Sequence, residues 1–467
     1  MLRLRKASRL DGPGAGEGGV GGVGEGTNFG DDTMIMKNLT KESQFVTEVI
    51  GLLLGSQFVE QLIAVALPPE FLSSLARAIE SSRPESRRHK GIDLAQSVGF
   101  LALDHTRFIK PLPGQSAVAV EIKPKWGFLT KSAFLRKDQD IKRRKCRFCM
   151  YQYQKIKTGE EGSLSKYCPI ELFSGTELLV QEALDSLVDT PQNNLRLFFD
   201  GKERPVNKSI IDNIFAESSK LPQGQQQQRK PAWMEGDDPL DYGNDESRPP
   251  KLTEVLTQIL LESPLLKRLG RLQQALDSLD VETVHRLYAH LLQEGADHLP
   301  EPTVEAFMET AEAFMDRTDM NAMMAEDQDT FESQNAAGIG FEPEDELEEL
   351  PETLQLHFIR EFLLSATLKD CSILITIQRD NPLATVTEVE TNNTTSSRLE
   401  VDVGSPEFHE ACYRIKVKGE VFVYKITCID LDPKKMVSVP MYLKKDRTIV
   451  DHYLATVGDR EATCGAN

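Results

Sequence analysis

Apolar residues along this 467-residue chain recur at two spacings, three-to-four and two, or run unbroken over short stretches. Phe45, Val46, Val49, Ile50, Leu53 and Leu54 form the stripe of an amphipathic helix that Gly55 closes. A second helix is predicted from Pro68 to Ile79, with proline in its first turn. Lys142 to Ile156 and Pro169 to Leu187 also read as helices. Leu272, Leu276, Leu279, Leu287, Leu291 and Leu292 mark several more between Lys251 and Asp316. Leu354, Phe358, Phe362 and Leu363 give the buried face of one from Pro351 to Leu368. Short apolar runs predict strands at Val98 to Leu103, at Val118 onward, at Leu197 to Phe199 and at Cys371 to Ile377. Tyr413 to Ile429 reads as a hairpin turning at Gly419-Glu420. The pattern as a whole predicts a chain that mixes helices and strands.

Three stretches carry neither period. Asp11 to Gly30 is rich in glycine, Gln223 to Pro250 in Gln, Pro, Asp and Gly, and Met320 to Glu349 in acidic residues. Gly19, Gly21 and Gly24 have the spacing of a phosphate loop. In so glycine-rich a run, with no strand before it, that match carries nothing. The segment reads as an insertion or linker.

Charge changes the picture locally. The formal net charge is −19, a poor prior for a general nucleic-acid binder. Yet Lys123 to Lys166 is basic, densest at Lys142-Arg-Arg-Lys-Cys-Arg147. A basic site on an acidic protein suits a small, highly anionic ligand better than a long polyanion. Nucleic-acid binding through Lys142 to Arg147 is the weaker alternative. No apolar run approaches the ~20 residues of a membrane-spanning helix, and Met1 to Arg9 is basic without the apolar stretch of a secretory signal. Seven cysteines without dense spacing point to reduced thiols and an intracellular protein. Cys146 and Cys149 form a lone CxxC. A zinc site would need two further ligands, with Cys168 and His105 or His89 available and nothing to fix the choice.

Two places carry candidate chemistry. In Val118-Ala-Val-Glu-Ile-Lys-Pro-Lys-Trp-Gly127 a buried strand runs into alternating Glu121, Lys123 and Lys125. Extended backbone would put all three on one face, Pro124 would end the sheet pairing, and Gly127 would let the chain turn away. Two ammonium groups on one rigid face suit clustered anionic oxygens. An edge strand with solvated lysines is the plainer reading. Asp370 just before one apolar strand and Asp430 just after another could hold a metal ion for phosphoryl transfer, or be ordinary strand-end aspartates.

Seven segments together resemble the inositol-pentakisphosphate 2-kinases. They are Arg83-Pro-Glu-Ser-Arg87, Val120-Glu-Ile-Lys-Pro-Lys-Trp-Gly127, Arg147-Phe-Cys-Met-Tyr-Gln152, Lys166-Tyr-Cys-Pro-Ile-Glu-Leu-Phe-Ser-Gly175, Gln192-Asn-Asn-Leu-Arg196, Lys369-Asp-Cys-Ser-Ile373 and Asp430-Leu-Asp-Pro-Lys434. They run in the family's order from near residue 44 to near 455, with poor correspondence between about 200 and 350. The resemblance implies a two-lobed α+β inositol polyphosphate kinase fold, distantly protein-kinase-like. It implies transfer of the ATP γ-phosphate, with Mg²⁺, to the 2-hydroxyl of inositol 1,3,4,5,6-pentakisphosphate, giving the hexakisphosphate. Residues 1–110 would be a partial ATP-side lobe with the glycine-rich insertion at 11–30. Residues 111–467 would be the inositol-phosphate lobe, with a linker at 221–250 and an acidic loop at 320–350. The family suggests nucleus and cytoplasm; a monomer with no membrane partner is expected.

By the same resemblance, Lys123 and Lys125 bind substrate phosphates and Lys123 approaches the transferred group. Arg87, Arg147 and Lys155 join that cradle. Asn193, Asn194 and Arg196 contact phosphates near the ATP side. Asp370 is the base or orienting group for the attacking hydroxyl, Asp430 the Mg²⁺ ligand with Asp370 beside it, and Lys434 and Tyr442 close the pocket. Three departures stand out. The glycine-rich loop that covers ATP is not found: Met1-Leu-Arg-Leu-Arg resembles the family's third strand, with Arg3 as its ATP contact, so the chain would start one hairpin late. Tyr151 stands where histidine is usual, and Trp126 where cysteine is frequent. The first departure leaves a non-catalytic inositol-phosphate-binding or scaffold protein as the alternative reading.

Overall fold

The structure, a computed structural model, describes residues 2–3, 41–81, 94, 98–112, 115–215, 248–292, 296–318, 320–325, 347–380, 398–401, 410–458 and 463–465. The predicted glycine-rich segment, Arg87, His89 and nearly all of the linker lie outside them. Helix and sheet are mixed, as the pattern predicts.

A small sheet joins β1 (Leu2–Arg3), β2 (Leu62–Ala66) and β3 (Val98–Ala102) in the order β1-β3-β2. The main sheet comprises β4 (Val118–Ile122), β5 (Leu195–Phe199), β6 (Lys202–Arg204), β7 (Ser372–Arg379), β8 (Arg398–Val401), β9 (Glu410–Val417) and β10 (Glu420–Ile429). Its order is β6-β5-β4-β7-β10-β9-β8, antiparallel throughout. β4, every residue of it buried, lies between β5 and β7. A strand covered on both faces is apolar on both, which explains why Val118, Ala119, Val120 and Ile122 do not alternate; Glu121, buried with them, is paired with Arg196.

The longer helices are α1 (Pro69–Glu80), α2 (Arg147–Lys157), α3 (Glu177–Asp189), α4 (Leu252–Glu262), α5 (Pro264–Ala275), α6 (Asp280–Leu291), α7 (Val304–Arg317), α8 (Glu352–Lys369) and α9 (Val439–Thr456). α8 is the hub, packing on α5, α6 and α7. From Phe358 it is buried on nearly every side. All six apolar residues of the first predicted stripe are buried. That stripe packs on α7 with the Phe45 and Phe307 rings 5.1 Å apart, and Arg268 of α5 donates to the Leu53 carbonyl at 2.5 Å, satisfying its C-terminal end.

Local chemistry corrects several boundaries. The helix expected from Lys142 is broken: a 3₁₀ turn covers Lys137–Arg143, and α2 begins only after Cys146, whose extended backbone and Sγ cap it, accepting the Cys149 N–H at 3.4 Å. The helix expected from Pro169 to Leu187 is interrupted after Leu172, where Gly175 takes φ 72°. The hairpin turns at Lys418-Gly419, both with positive φ, one residue earlier than expected. In the acidic stretch Met320–Ala325 is helical, and residues 326–346 are outside the described set.

Candidate functional site

Strand register gathers the candidate residues. Ile122 at the end of β4 pairs with Leu195 at the start of β5 and with Ile373 in β7. Ile429 at the end of β10 pairs with Ser372 at the start of β7. Four connections therefore emerge at one edge of the sheet: the loop after β4 with Lys123 and Lys125, the turn before β5 with Asn193 and Asn194, Asp370 before β7, and Asp430 to Lys434 after β10. Segments far apart in sequence meet because antiparallel pairing places alternate strand ends together.

The loop after β4 departs from expectation. The strand stops at Ile122, so Glu121, Lys123 and Lys125 do not continue one extended face. Lys125 itself takes the left-handed conformation, φ 64°, and Gly127 does not. This costly backbone is held from several sides. Tyr167, fully buried, donates its hydroxyl to the Pro124 carbonyl at 2.8 Å. Gln273, also fully buried, donates to the carbonyls of Lys125 and Leu368, both at 3.0 Å, and accepts the Gly127 N–H at 3.0 Å. Glycine is required at 127 for space: a Cβ there would lie 2.3 Å from the Phe173 ring.

Lys125 thus enters a cavity of about 390 Å³. One wall is α2, where Arg147, Tyr151 and Lys155 at i, i+4 and i+8 share a face. The adjoining wall is α9, which packs on α2 and brings Tyr442, Lys445 and Asp446 to the lining. Asp370, Lys434, Asn193, Lys369 and the carboxylate Glu160 complete the polar lining. Beneath, a buried ionic layer fixes the walls. Lys142 bridges Asp280 (2.7 Å) and Asp446 (2.8 Å), and Asp446 also holds Arg147 Nε at 3.1 Å. Burial opposes the charge on Asp446, but Lys142 and Arg147 outweigh it and hold the carboxyl low. Lys369 pairs with Asp277 and sits 4.1 Å from the Trp126 ring centre, with the Arg147 guanidinium 4.7 Å away from the same ring. Two members of the densest basic run are therefore engaged within the protein: Lys142 is buried and Arg147 is paired.

The electrostatics suit a polyanion. Burial and the nearby Lys123 and Lys155 bring the Lys125 ammonium down to about 8. Asp370 caps the C-terminus of α8, and its Oδ2 lies 2.6 Å from Lys434 Nζ. Burial works against its charge, yet Lys434, Lys125 and Lys123 prevail and keep the carboxyl below its ordinary range. Next to the cavity, Ser372 Oγ lies 3.1 Å from Glu121 Oε1 and 3.4 Å from Asp430 Oδ2. Arg196 joins this second cluster, bonded to Glu121 at 3.1 Å and to Glu203 at 2.6 Å.

Of the predicted residues, Lys125, Arg147, Lys155, Asn193, Asp370, Lys434 and Tyr442 line the cavity. Lys123 does not line it, although its charge acts on Lys125 and Asp370. Its N–H donates to the Asn194 carbonyl at 2.8 Å, and the Asn194 side chain is buried. Arg196 and Asp430 belong to the second cluster. Arg87 lies outside the described residues, and Arg3 is described only as a strand residue opposite Phe100. Sequence reasoning missed Gln273, Lys369, Lys445 and Asp446. Lys369 and Asp446 each sit one residue from another lining residue, a signal visible only once the helix phases are known.

A model of the family described as inositol-pentakisphosphate 2-kinase matches residues 1–448. The chain belongs to the inositol-pentakisphosphate 2-kinase family. It is 27% identical to the inositol-pentakisphosphate 2-kinase of Arabidopsis thaliana, across 88% of this chain and 77% of that protein. It is 25% identical to that of Danio rerio, across 90% and 84%. A 53-residue stretch is 51% identical to the Drosophila melanogaster inositol-pentakisphosphate 2-kinase.

This member of the inositol-pentakisphosphate 2-kinase family also carries a second cluster of ligating atoms. The Sγ atoms of Cys146, Cys149, Cys168 and Cys464 all lie within 4.8 Å of one another. Cys464, beyond the matched segment, was not anticipated, and His105 sits elsewhere, 3.4 Å from Thr427 Oγ1. Four thiolates around one zinc at ~2.3 Å would stand about 3.8 Å apart, so the donor set and spacing fit a closed tetrahedral site. Burial and mutual hydrogen bonding raise the Cys146 thiol, and bonds from the other three pull Cys464 down. The Cys464 N–H donates to the Arg144 carbonyl at 2.9 Å, so the cluster ties that late segment to the start of α2.

Proposed function

We infer that this chain transfers the γ-phosphate of ATP to the axial 2-hydroxyl of inositol 1,3,4,5,6-pentakisphosphate, producing the hexakisphosphate. The observation that carries this is the convergence of Lys125, Arg147, Lys155 and Lys434 on one cavity that also contains Asp370. Five phosphates need cations delivered from several segments, and a pocket of this kind discriminates by position as well as charge.

Asp370, ionised and held by Lys434, orients the attacking hydroxyl and accepts its proton. Lys123 and Lys125 stabilise charge on the transferred group. The neighbouring cluster of Glu121, Arg196, Ser372 and Asp430 belongs to the nucleotide side, with Arg3 and Asn194 contributing there. Mg²⁺ takes one or two carboxylates plus phosphate oxygens. Asp430, with φ 61° at the exit of β10, and Asp370, before the adjacent strand, supply such a donor set at one sheet edge. When bound, the ion neutralises charge on the phosphates. A division into an ATP-side lobe over residues 1–110 and an inositol-phosphate lobe over 111–467, with a distant protein-kinase relationship, accords with the small sheet and the main sheet.

The test is a phosphotransfer assay with the purified chain, ATP, Mg²⁺ and inositol pentakisphosphate, followed by anion-exchange separation. Hexakisphosphate should form, and Asp370→Asn should stop it. Binding of pentakisphosphate without any conversion would overturn the kinase reading and leave a binding protein.

A further inference from the structure

Two cations of the cavity lining have no role from the family resemblance, Lys369 and Lys445, and Lys369 is already paired with Asp277. Lys445 lies on α9, whose phase is set by Ile449, Val450 and Tyr453 packing against α2. That phase turns Tyr442, Lys445 and Asp446 (i, i+3 and i+4) toward the cavity. Tyr442 and Asp446 already have roles. Lys445 stands between them in sequence, exposed at the cavity surface.

Most cations there are spent. Arg147 is held by Asp446, Lys155 is 3.5 Å from Glu161, and Lys434 is paired with Asp370. Among the described residues, Lys125 and Lys445 line the cavity with no carboxylate within 4 Å. The Lys445 ammonium rests on the face of Tyr151 instead, 4.8 Å from the ring centre. The same ring meets Lys155 at 5.5 Å and Arg147 at 5.9 Å. A ring face attracts cations through its quadrupole without neutralising them. Burial by the cavity walls and the nearby Arg147 lower the Lys445 pKa, so the free protein keeps this charge at a cost that a bound anion would relieve.

We propose that Lys445, positioned by the face of Tyr151, is a further phosphate-binding residue of this cavity, taking one phosphate of the inositol polyphosphate at its α9 wall. The inference rests on the inositol-phosphate reading above. It adds a contact from the α9 wall. It also accounts for tyrosine at 151, whose ring is a platform that keeps three cations fanned out rather than collapsed onto one carboxylate.

The experiment measures pentakisphosphate affinity by calorimetry for the full chain and for Lys445→Met, Lys445→Arg, Lys444→Met, Tyr151→Phe and Tyr151→Leu. Lys444 is the exposed neighbour outside the cavity lining, so it reports the general field alone. Lys445→Met should weaken binding about ten-fold or more, the scale of one charge-assisted hydrogen bond. Lys445→Arg should recover most of it, and Lys444→Met should change it less than about two-fold. Tyr151→Phe keeps the ring face and should lose less affinity than Tyr151→Leu, whose loss should shrink in the Lys445→Met background. Lys445→Met and Lys444→Met weakening binding equally would overturn the proposal, as would no change in Lys445→Met. If the parent chain itself fails to bind pentakisphosphate, the functional reading falls instead. Thermal melts of each variant separate lost contacts from lost folding.

Discussion

Gln273 grips the backbone of Lys125: its Nε2 donates to the Lys125 carbonyl at 3.0 Å while its Oε1 accepts from Gly127 two residues on. The second hydrogen of the same amide reaches the Leu368 carbonyl, two residues before Asp370. One side chain thereby fixes the spacing between the Lys125 backbone and the segment that carries Asp370. Gln273→Leu keeps the volume and removes three hydrogen bonds. It leaves buried backbone groups without partners, so unfolding stability should fall by about 2–4 kcal/mol. Pentakisphosphate affinity should fall more than in a core variant of equal stability loss, such as Leu269→Ala, because Lys125 loses its left-handed geometry. Equal affinities in the two variants would show that the grip matters only for folding.

Asp370 sits where removal of its charge should be clean. Its side chain is 67% exposed and its only close partner among the described residues is Lys434. Asp370→Asn should lower kcat by about 10²–10⁴, the usual contribution of a positioned acid-base group, with little change in melting temperature. Lys434→Ala should act differently. It strips a cation from the cavity lining and leaves Asp370 with weaker support for its charge, so KM should rise and the acidic limb of the pH–rate profile should shift upward. A single-turnover assay distinguishes the two patterns.

Lys125 gives substrate binding a pH signature. Its pKa in the free protein is brought down to about 8 by burial and by Lys123, against an ordinary value of 10.5. Bound phosphates favour the charged form and raise that pKa. Binding near pH 8 should therefore take up a proton, seen as a calorimetric enthalpy that depends on the buffer's ionisation enthalpy. Affinity should fall as pH rises through 8. The stability consequence has the opposite sense. Below about pH 8 the folded state carries a charge that burial disfavours, and that cost fades as the lysine deprotonates. Lys125→Met should raise stability at pH 7 by about 1–2 kcal/mol, partial exposure discounting the full shift, while weakening binding.

Residues whose signal is local were legible in the sequence. The strand carrying Lys123, the helix stripes at Phe45 and Phe358, and the aspartates flanking two apolar strands all rest on short-range periodicity or on a motif. The positions of Gln273 and Cys464 do not. Gln273 lies on a helix where its neighbours suggest only another polar face, and it is buried because α5 passes behind the loop after β4. The left-handed turn at Lys125 was hidden because proline at 124 and glycine at 127 already offered an explanation for the bend. Phe173, from another segment, is what excludes a side chain at 127.

The four-cysteine cluster bears on the cavity itself. Cys146 caps α2, and the next residue is Arg147, which lines the cavity. A metal ion that fixes Cys146 would fix the first turn of α2 and the direction of Arg147. The purified chain should hold about one zinc per molecule by elemental analysis, because four converging thiols are worth little to one another without a cation. Cys464→Ser should lower that occupancy without touching any cavity residue. It should also lower the melting temperature and weaken pentakisphosphate binding, and added zinc should restore the parent chain after chelation but not the variant. A chain that holds no zinc even when refolded with it would mean that the thiols are simply packed in reduced form. A chain that holds zinc while Cys464→Ser binds substrate normally would confine the metal's role to anchoring residues 463–465 against Arg144.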